Sequence, residues 1–157
     1  MRLRYLYVGS SDTERDVAAW LTLDGASLRW RFRHFGADVA AIAFDDGAHP
    51  TVLLADHRPA ASVLPIYAVD DAEVLADRMR LVGWQLVAGP LGTPEGPATV
   101  LRDPSGTEMA LLVVERPGAM EAAYGDAANE HAVRPDGAAP GEPGARRDAP
   151  SPHTGST

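Results

Sequence analysis

Leu64–Gly83, LPIYAVDDAEVLADRMRLVG, reads as a strand that runs straight into a helix. Leu64, Ile66 and Ala68 fall on one strand face, and Pro65, Tyr67 and Val69 on the other. Asp70 or Asp71 can cap the helix, and Asp70-x-x-Glu73 has the form of a capping box. Val74, Leu75, Met79 and Val82 recur at helical spacing, and Gly83 is a natural stop. The chain states the same pattern earlier. Tyr5–Leu23, YLYVGSSDTERDVAAWLTL, lies 59 residues before it, with Tyr5 on Leu64, Asp12 on Asp71, Glu14 on Glu73 and Trp20 on Met79. Ser11-x-x-Glu14 repeats the cap.

The shift holds further along. Asp103-Pro104-Ser105-Gly106 falls on Phe44-Asp45-Asp46-Gly47, and Met109–Val113 falls on Pro50–Leu54. Landmarks sharing one offset indicate a duplicated unit. Each unit reads as a strand, a helix and three strands. The expected class is α+β, with module one over 3–56, module two over 63–114, and both within a domain of residues 1–116.

The intervening segments follow. Arg4–Gly9 is the first strand and Asp12–Leu23 the first helix, packing through Val17, Trp20 and Leu21. Ser27–Phe35 alternates, with Leu28, Trp30 and Phe32 on one face and Arg29, Arg31 and Arg33 on the other. Gly36-Ala37-Asp38 is a turn, and Val39–Phe44 and Thr51–Ala55 are strands. Asp56–Ser62 is a linker. Trp84–Ala88 is a strand, and Gly89–Pro97, GPLGTPEGP, reads as a mobile loop. Ala98–Arg102 and Glu108–Val114 form the last hairpin, and Ala119–Tyr124 a short helix. From about Asn129 bulky apolar residues are nearly absent, so 117–157 reads as a mostly disordered tail.

Composition narrows the function. All 14 basic residues are Arg and stand against 22 acids, giving −8. That balance argues against nucleic acid, which needs a basic footprint. Cys is absent, excluding disulfides and thiolate metal sites. No apolar run approaches a membrane span, and Met1–Arg4 does not open a signal peptide. The expected location is the cytoplasm.

The duplicated unit and the Asp-Pro-Ser-Gly turn before the last strand resemble the vicinal oxygen chelate superfamily. That superfamily includes glyoxalase I, extradiol dioxygenases, fosfomycin-resistance enzymes and bleomycin-resistance binding proteins. The resemblance covers Arg4 to about Val114. It implies two curved four-stranded sheets around a ligand cleft, with the helices outside. It also implies a divalent metal in the enzymes, held by His or Gln in the first strand of each unit and Glu in the last. Here the first-strand positions read Tyr5 and Leu64 and the last-strand position of unit two reads Ala110. Its counterpart is Thr51, or Leu53 after a two-residue slip. These residue types do not make a metal site. No metal and no cofactor are expected.

Other candidates carry two readings each. Glu108 shares a face with Ala110 and Leu112, as a general base, a counter-ion or an exposed strand-end acid. Asp56-His57 is an oriented imidazole for acid–base work or a solvated linker pair. Arg29, Arg31 and Arg33 bind an anion or guard an edge strand. Trp30 and Phe32 stack on a ligand or belong to a core or dimer interface. His34 and His49 lie near turns, and His131 and His153 lie in the tail.

Two functions follow. One is metal-free binding of a small organic molecule in an apolar, aromatic cleft of Tyr5, Tyr7, Trp30, Leu53, Leu64, Ile66, Glu108, Ala110 and Leu112. The other is a lyase, isomerase or cyclase using Glu108, Tyr5 or His57, with or without a metal. A homodimer is expected from the resemblance and from sheet edges that need cover.

Overall fold

The computed structural model describes residues 1–133 except 35, 46–48, 127 and 130. The turn expected at Asp46-Gly47, the tail from 134 onward and His153 lie outside the described residues.

The first module comprises β1 (Arg2–Gly9), α1 (Thr13–Trp20), β2 (Ala26–His34), β3 (Ala37–Phe44) and β4 (Thr51–Ala55). The second comprises β5 (Val63–Val69), α2 (Ala72–Leu81), β6 (Gln85–Thr93), β7 (Gly96–Arg102) and β8 (Glu108–Val113), followed by α3 (Ala119–Tyr124). The duplication is visible in the caps. Asp12 accepts a hydrogen bond from Arg15 N at 3.0 Å, and Asp71 accepts one from Val74 N at 2.9 Å.

The strands form one mixed eight-stranded sheet in the order β2-β3-β4-β1-β5-β8-β7-β6. The two halves are therefore joined rather than separate. β1 runs antiparallel to β5, pairing Tyr5 with Ile66 and Tyr7 with Leu64. Within each half the first and last strands are parallel, as β1–β4 and β5–β8.

α1 and α2 cover one face. Val17 packs with Ala40, Ile42, Val52 and Leu54, with Leu6, Val8 and Trp20 against them. Ala72 and Ala76 pack with Leu101 and Leu111, with Leu75 and Met79 against them. Trp20 and Met79 thus belong to the core, as their spacing predicts. Leu21, Val74 and Val82, which the periodicity placed inside, are exposed. α1 ends by Trp20, so Leu21 lies beyond the buried stripe. α2 buries a face of small residues at 72 and 76 instead. No helix among the described residues is long and apolar enough to cross a membrane.

The opposite face carries α3. Tyr5, Trp30, Ala41, Leu53, Ala98, Leu112 and Met120 form its core. Glu95, between β6 and β7, reaches Arg4 and Tyr5 of β1. β7 lies three strand spacings from β1, roughly 14 Å in a flat sheet. The sheet must therefore curl toward α3.

Candidate functional site

Strand alternation puts Tyr5, Tyr7, Leu53, Leu64, Ile66, Ala110 and Leu112 on the α3 face, opposite Leu6, Val8 and Leu111. The residues expected to line an apolar cleft form the floor of this face. Met120 closes it, packing among Tyr5, Trp30, Leu53 and Leu112. Ala110 is 2% exposed. Residues past Pro117 thus contribute to the core of this face. Residues 131–133, which composition assigned to disorder, extend the β2 edge. Arg33 N donates to the His131 carbonyl, and Val133 N to that of Arg31. His131 also packs on Phe32 and on His34, with ring centroids 5.7 and 3.7 Å away.

The residue that organises the site is Glu95. The Gly89–Pro97 segment is not a mobile loop: β6 continues to Thr93 and β7 begins at Gly96. The Thr93 hydroxyl donates to the Gly96 carbonyl at 2.7 Å and accepts from Gly96 N at 3.2 Å. Gly96 has φ +146, and a Cβ there would overlap the Val113 carbonyl oxygen. The tight turn holds Glu95 at 1% exposure. Its carboxylate accepts from Arg4 Nε (2.7 Å) and Nη2 (2.6 Å), Tyr5 Oη (3.0 Å) and Gly118 N (3.1 Å). Burial pushes the carboxyl pKa up, but the hydrogen bonds from Arg4 and Tyr5 outweigh it and hold it below the usual range. Burial, with the Glu95 charge adding to it, pushes the Tyr5 phenol up to about 12. Glycine and proline density disguised this turn in the sequence. A lone Glu in a Gly-Pro run carries no separate signal.

Two β-bulges aim arginines into the site. Arg4 is the extra residue between Leu3 and Tyr5 opposite β5, and Arg29 the extra residue between Leu28 and Trp30 opposite β3. The strict alternation expected for Ser27–Phe35 is therefore broken. Leu28 packs on the α1 side, while Trp30 and Phe32 turn to the α3 side. Arg29 pairs with Glu121 at 3.0 Å. Arg31 and Arg33 both grip Asp38 at 2.7 Å, so their partner is the protein's own carboxylate. Burial pushes the Asp38 carboxyl up, yet these two arginines lower it overall. Beside the bulges is a cavity of about 270 Å³, lined by Arg2, Arg4, Tyr5, Arg29, Trp30, His49, Thr51, Glu95 and Glu121 among others. Of the residues expected at the ligand, Tyr5 and Trp30 line it. Tyr7, Leu53, Leu64, Ile66, Ala110 and Leu112 do not.

The remaining candidates are placed differently from their sequence reading. Asp56 does not orient His57; its carboxylate accepts from Asp38 N at 2.8 Å. His57 Nε2 instead meets the Tyr7 hydroxyl at 2.7 Å, and Arg58 lies over the Tyr7 ring at 5.3 Å. Burial pushes the Tyr7 phenol up to about 12, partly offset by Arg58. Glu108 is paired with Arg102 at 2.6 Å across the β7–β8 ladder.

The metal positions do not fit a metal. Carrying Tyr7 onto Ile66 by the 59-residue shift makes Leu53, opposite Tyr7, the counterpart of Ala110, opposite Ile66. The positions are then Tyr5, Leu53, Leu64 and Ala110, and the only oxygen donor among them, Tyr5, is bonded to Glu95. Among the described residues no three His, Asp or Glu side chains are grouped to hold an ion.

The arrangement of two β-α-β-β-β units in one curled sheet is the fold of the vicinal oxygen chelate proteins. Solved structures with this fold include methylmalonyl-CoA epimerase from Mycobacterium tuberculosis, with TM-score 0.60 and 16% identity over 76% of this chain and 91% of that one. A Streptomyces coelicolor methylmalonyl-CoA epimerase variant in complex with 2-nitronate-propionyl-CoA gives 0.58 and 15% over 74% and 99%. A hypothetical protein from Bacillus halodurans C-125 gives 0.60 and 10% over 73% and 95%. No protein-family model and no curated protein matches the chain.

Proposed function

We propose that this protein is a metal-independent, small-molecule-binding member of the vicinal oxygen chelate superfamily, holding an organic ligand on its α3 face. The ligand enters at the cavity between Tyr5, Trp30 and Arg29. The apolar floor of Leu53, Leu64, Ile66 and Leu112 lies deeper, with Tyr7 beside it. The protein acts as a cytoplasmic homodimer.

The observation that carries the reading is the state of the Tyr5–Glu95 pair. General acid–base catalysis works best with groups poised near neutral pH. Tyr5 is pushed up to about 12, while Glu95 is lowered and locked by Arg4. Both groups are displaced from neutrality in the direction that keeps their resting forms. An epimerase, like the neighbours of similar fold, needs groups that exchange protons with substrate. Here Tyr5 and Glu95 are committed to structure, and a cavity with an aromatic wall and basic side chains remains.

Calorimetric titration of the purified full chain with organic ligands tests this. Binding persists after exhaustive chelation and weakens in Trp30→Ala, while added Mn or Zn leaves it unchanged. Turnover of a bound ligand that is lost in Tyr5→Phe would replace the reading by the enzyme one. Sedimentation equilibrium checks the dimer.

A further inference from the structure

The floor of the cleft is roofed by the chain's own C-terminal segment. Met120 inserts among the floor residues, and Tyr124 lays its ring against Phe32 and Trp30 at 4.5 and 4.9 Å. α3 has only six residues, and its N-cap Gly118 supplies no side-chain cap. A helix of that length does not hold by itself. Its start and first turn are tied to the sheet by two polar contacts, and both go to cavity residues. Gly118 N donates to Glu95, and Arg29 Nε donates to Glu121 at 3.0 Å.

The second contact is a latch of limited strength, because Arg29 and Glu121 are both about half exposed. Arg29 is also the bulged residue that breaks the alternation of β2. It stands at the cavity wall with Arg2 and Arg4, of which Arg4 is held by Glu95. An anion entering the cavity competes with the Glu121 carboxylate for the Arg29 guanidinium.

Resting on the reading that the cavity takes a small molecule, we infer that α3 is a displaceable plug and that the ligand is an organic anion. Its anionic group takes Arg29 from Glu121. Its apolar body takes the place of Met120 over Tyr5, Leu53 and Leu112.

Two fluorescent probes on the full chain test this: the anion 8-anilinonaphthalene-1-sulfonate and its uncharged relative N-phenyl-1-naphthylamine. Glu121→Gln breaks the latch and keeps the receptor, so both probes bind about two- to fivefold more tightly, the range of a half-exposed ion pair. Arg29→Gln breaks the latch and removes the receptor. The uncharged probe then tightens, while the anion binds more weakly than to wild type. If the anion's affinity moves the same way in both variants, or does not move in Glu121→Gln, the plug is overturned. Thr51→Trp, filling the cavity, separates the two ideas. Persistence of both probes in that variant overturns the proposed function as well. Loss of both, with Glu121→Gln still inert, overturns the plug alone. Should Thr51→Trp fail to fold, amide exchange on the wild type decides. The anion must speed exchange across 119–124, and unchanged or slower exchange overturns the plug.

Discussion

Arg4 grips Glu95 through Nε and Nη2 at 2.7 and 2.6 Å, joining the first strand of the chain to a turn 91 residues later. The pair is bidentate and nearly closed to water, with 20% and 1% side-chain exposure. Such a pair adds direction as well as energy. It fixes Tyr5 on one side and the start of α3 on the other, because both bond to the same carboxylate.

Glu95→Gln leaves the Arg4 charge without its partner. Removing one member of a buried pair costs about 3 kcal/mol, and urea unfolding at pH 7 measures it. The pH dependence has a definite sign. The folded pKa of Glu95 is depressed below its ordinary 4.5. Its contribution is therefore complete above about 4.5 and is lost as pH falls through the folded value. The acid limb of the stability curve should flatten in the variant. An identical acid limb in both proteins would show that the pair does not carry the linkage.

Tyr5 and Tyr7 behave in the opposite sense. Both phenols are raised from 10.0 to about 12. Their stabilisation is present below pH 10 and is lost as pH rises through about 12. Absorbance at the phenolate band should show Tyr5, Tyr7 and Tyr124, three of the four tyrosines, ionising late or together with unfolding. Tyr5→Phe should remove one of them. The same number of late ionisations in wild type and Tyr5→Phe would contradict the burial of this ring.

Met120→Ala tests the docking of α3. Met120 is 9% exposed in the α3-side core. Its truncation should cost about 2 kcal/mol, the low end for a buried Met, because an open cleft can admit water. For the same reason, ending the chain at Glu121 should lower the melting temperature clearly, since Tyr124 and the backbone bonds that tie His131 and Val133 to β2 go with it. A shift within a degree or two would show that the segment is not docked in solution.

Ala110→Glu probes the floor. Ala110 pairs with Ile66 and Val100 and is closed to solvent. A carboxylate there loses hydration without a partner, so the variant should lose roughly 3 kcal/mol or more of stability. Melting curves of Ala110→Glu and Ala110→Ser, compared with wild type, give the contrast. A fully stable Ala110→Glu protein would mean that the floor is already wet and α3 sits loosely over it.

The duplicated unit, the Asp71 cap as one of two choices and the inward faces of β1, β4, β5 and β8 were legible in the sequence, whereas the first helix is capped by Asp12 and not by the expected Ser11. Each is a local pattern: side chains alternate in a strand, and a cap needs only its own helix. The repeat then implied the strand-helix-strand order of both modules. The joining of β1 to β5 was not legible, because strand pairing is a choice among distant edges. Neither was the turn of Arg4 and Arg29 into the cavity. A bulge inserts one residue without changing composition, so alternation read along β2 put Trp30 and Leu28 together when they face opposite ways. Glu95 passed unnoticed because Gly and Pro mark a turn without saying what the turn packs against. Only the curled sheet brings that turn over Tyr5 and lays Met120 into the cleft. Local sequence set the strand faces and helix ends, where the forces act over a few residues. The tertiary structure decided which charge meets which, because those partners lie up to 92 residues apart in the chain.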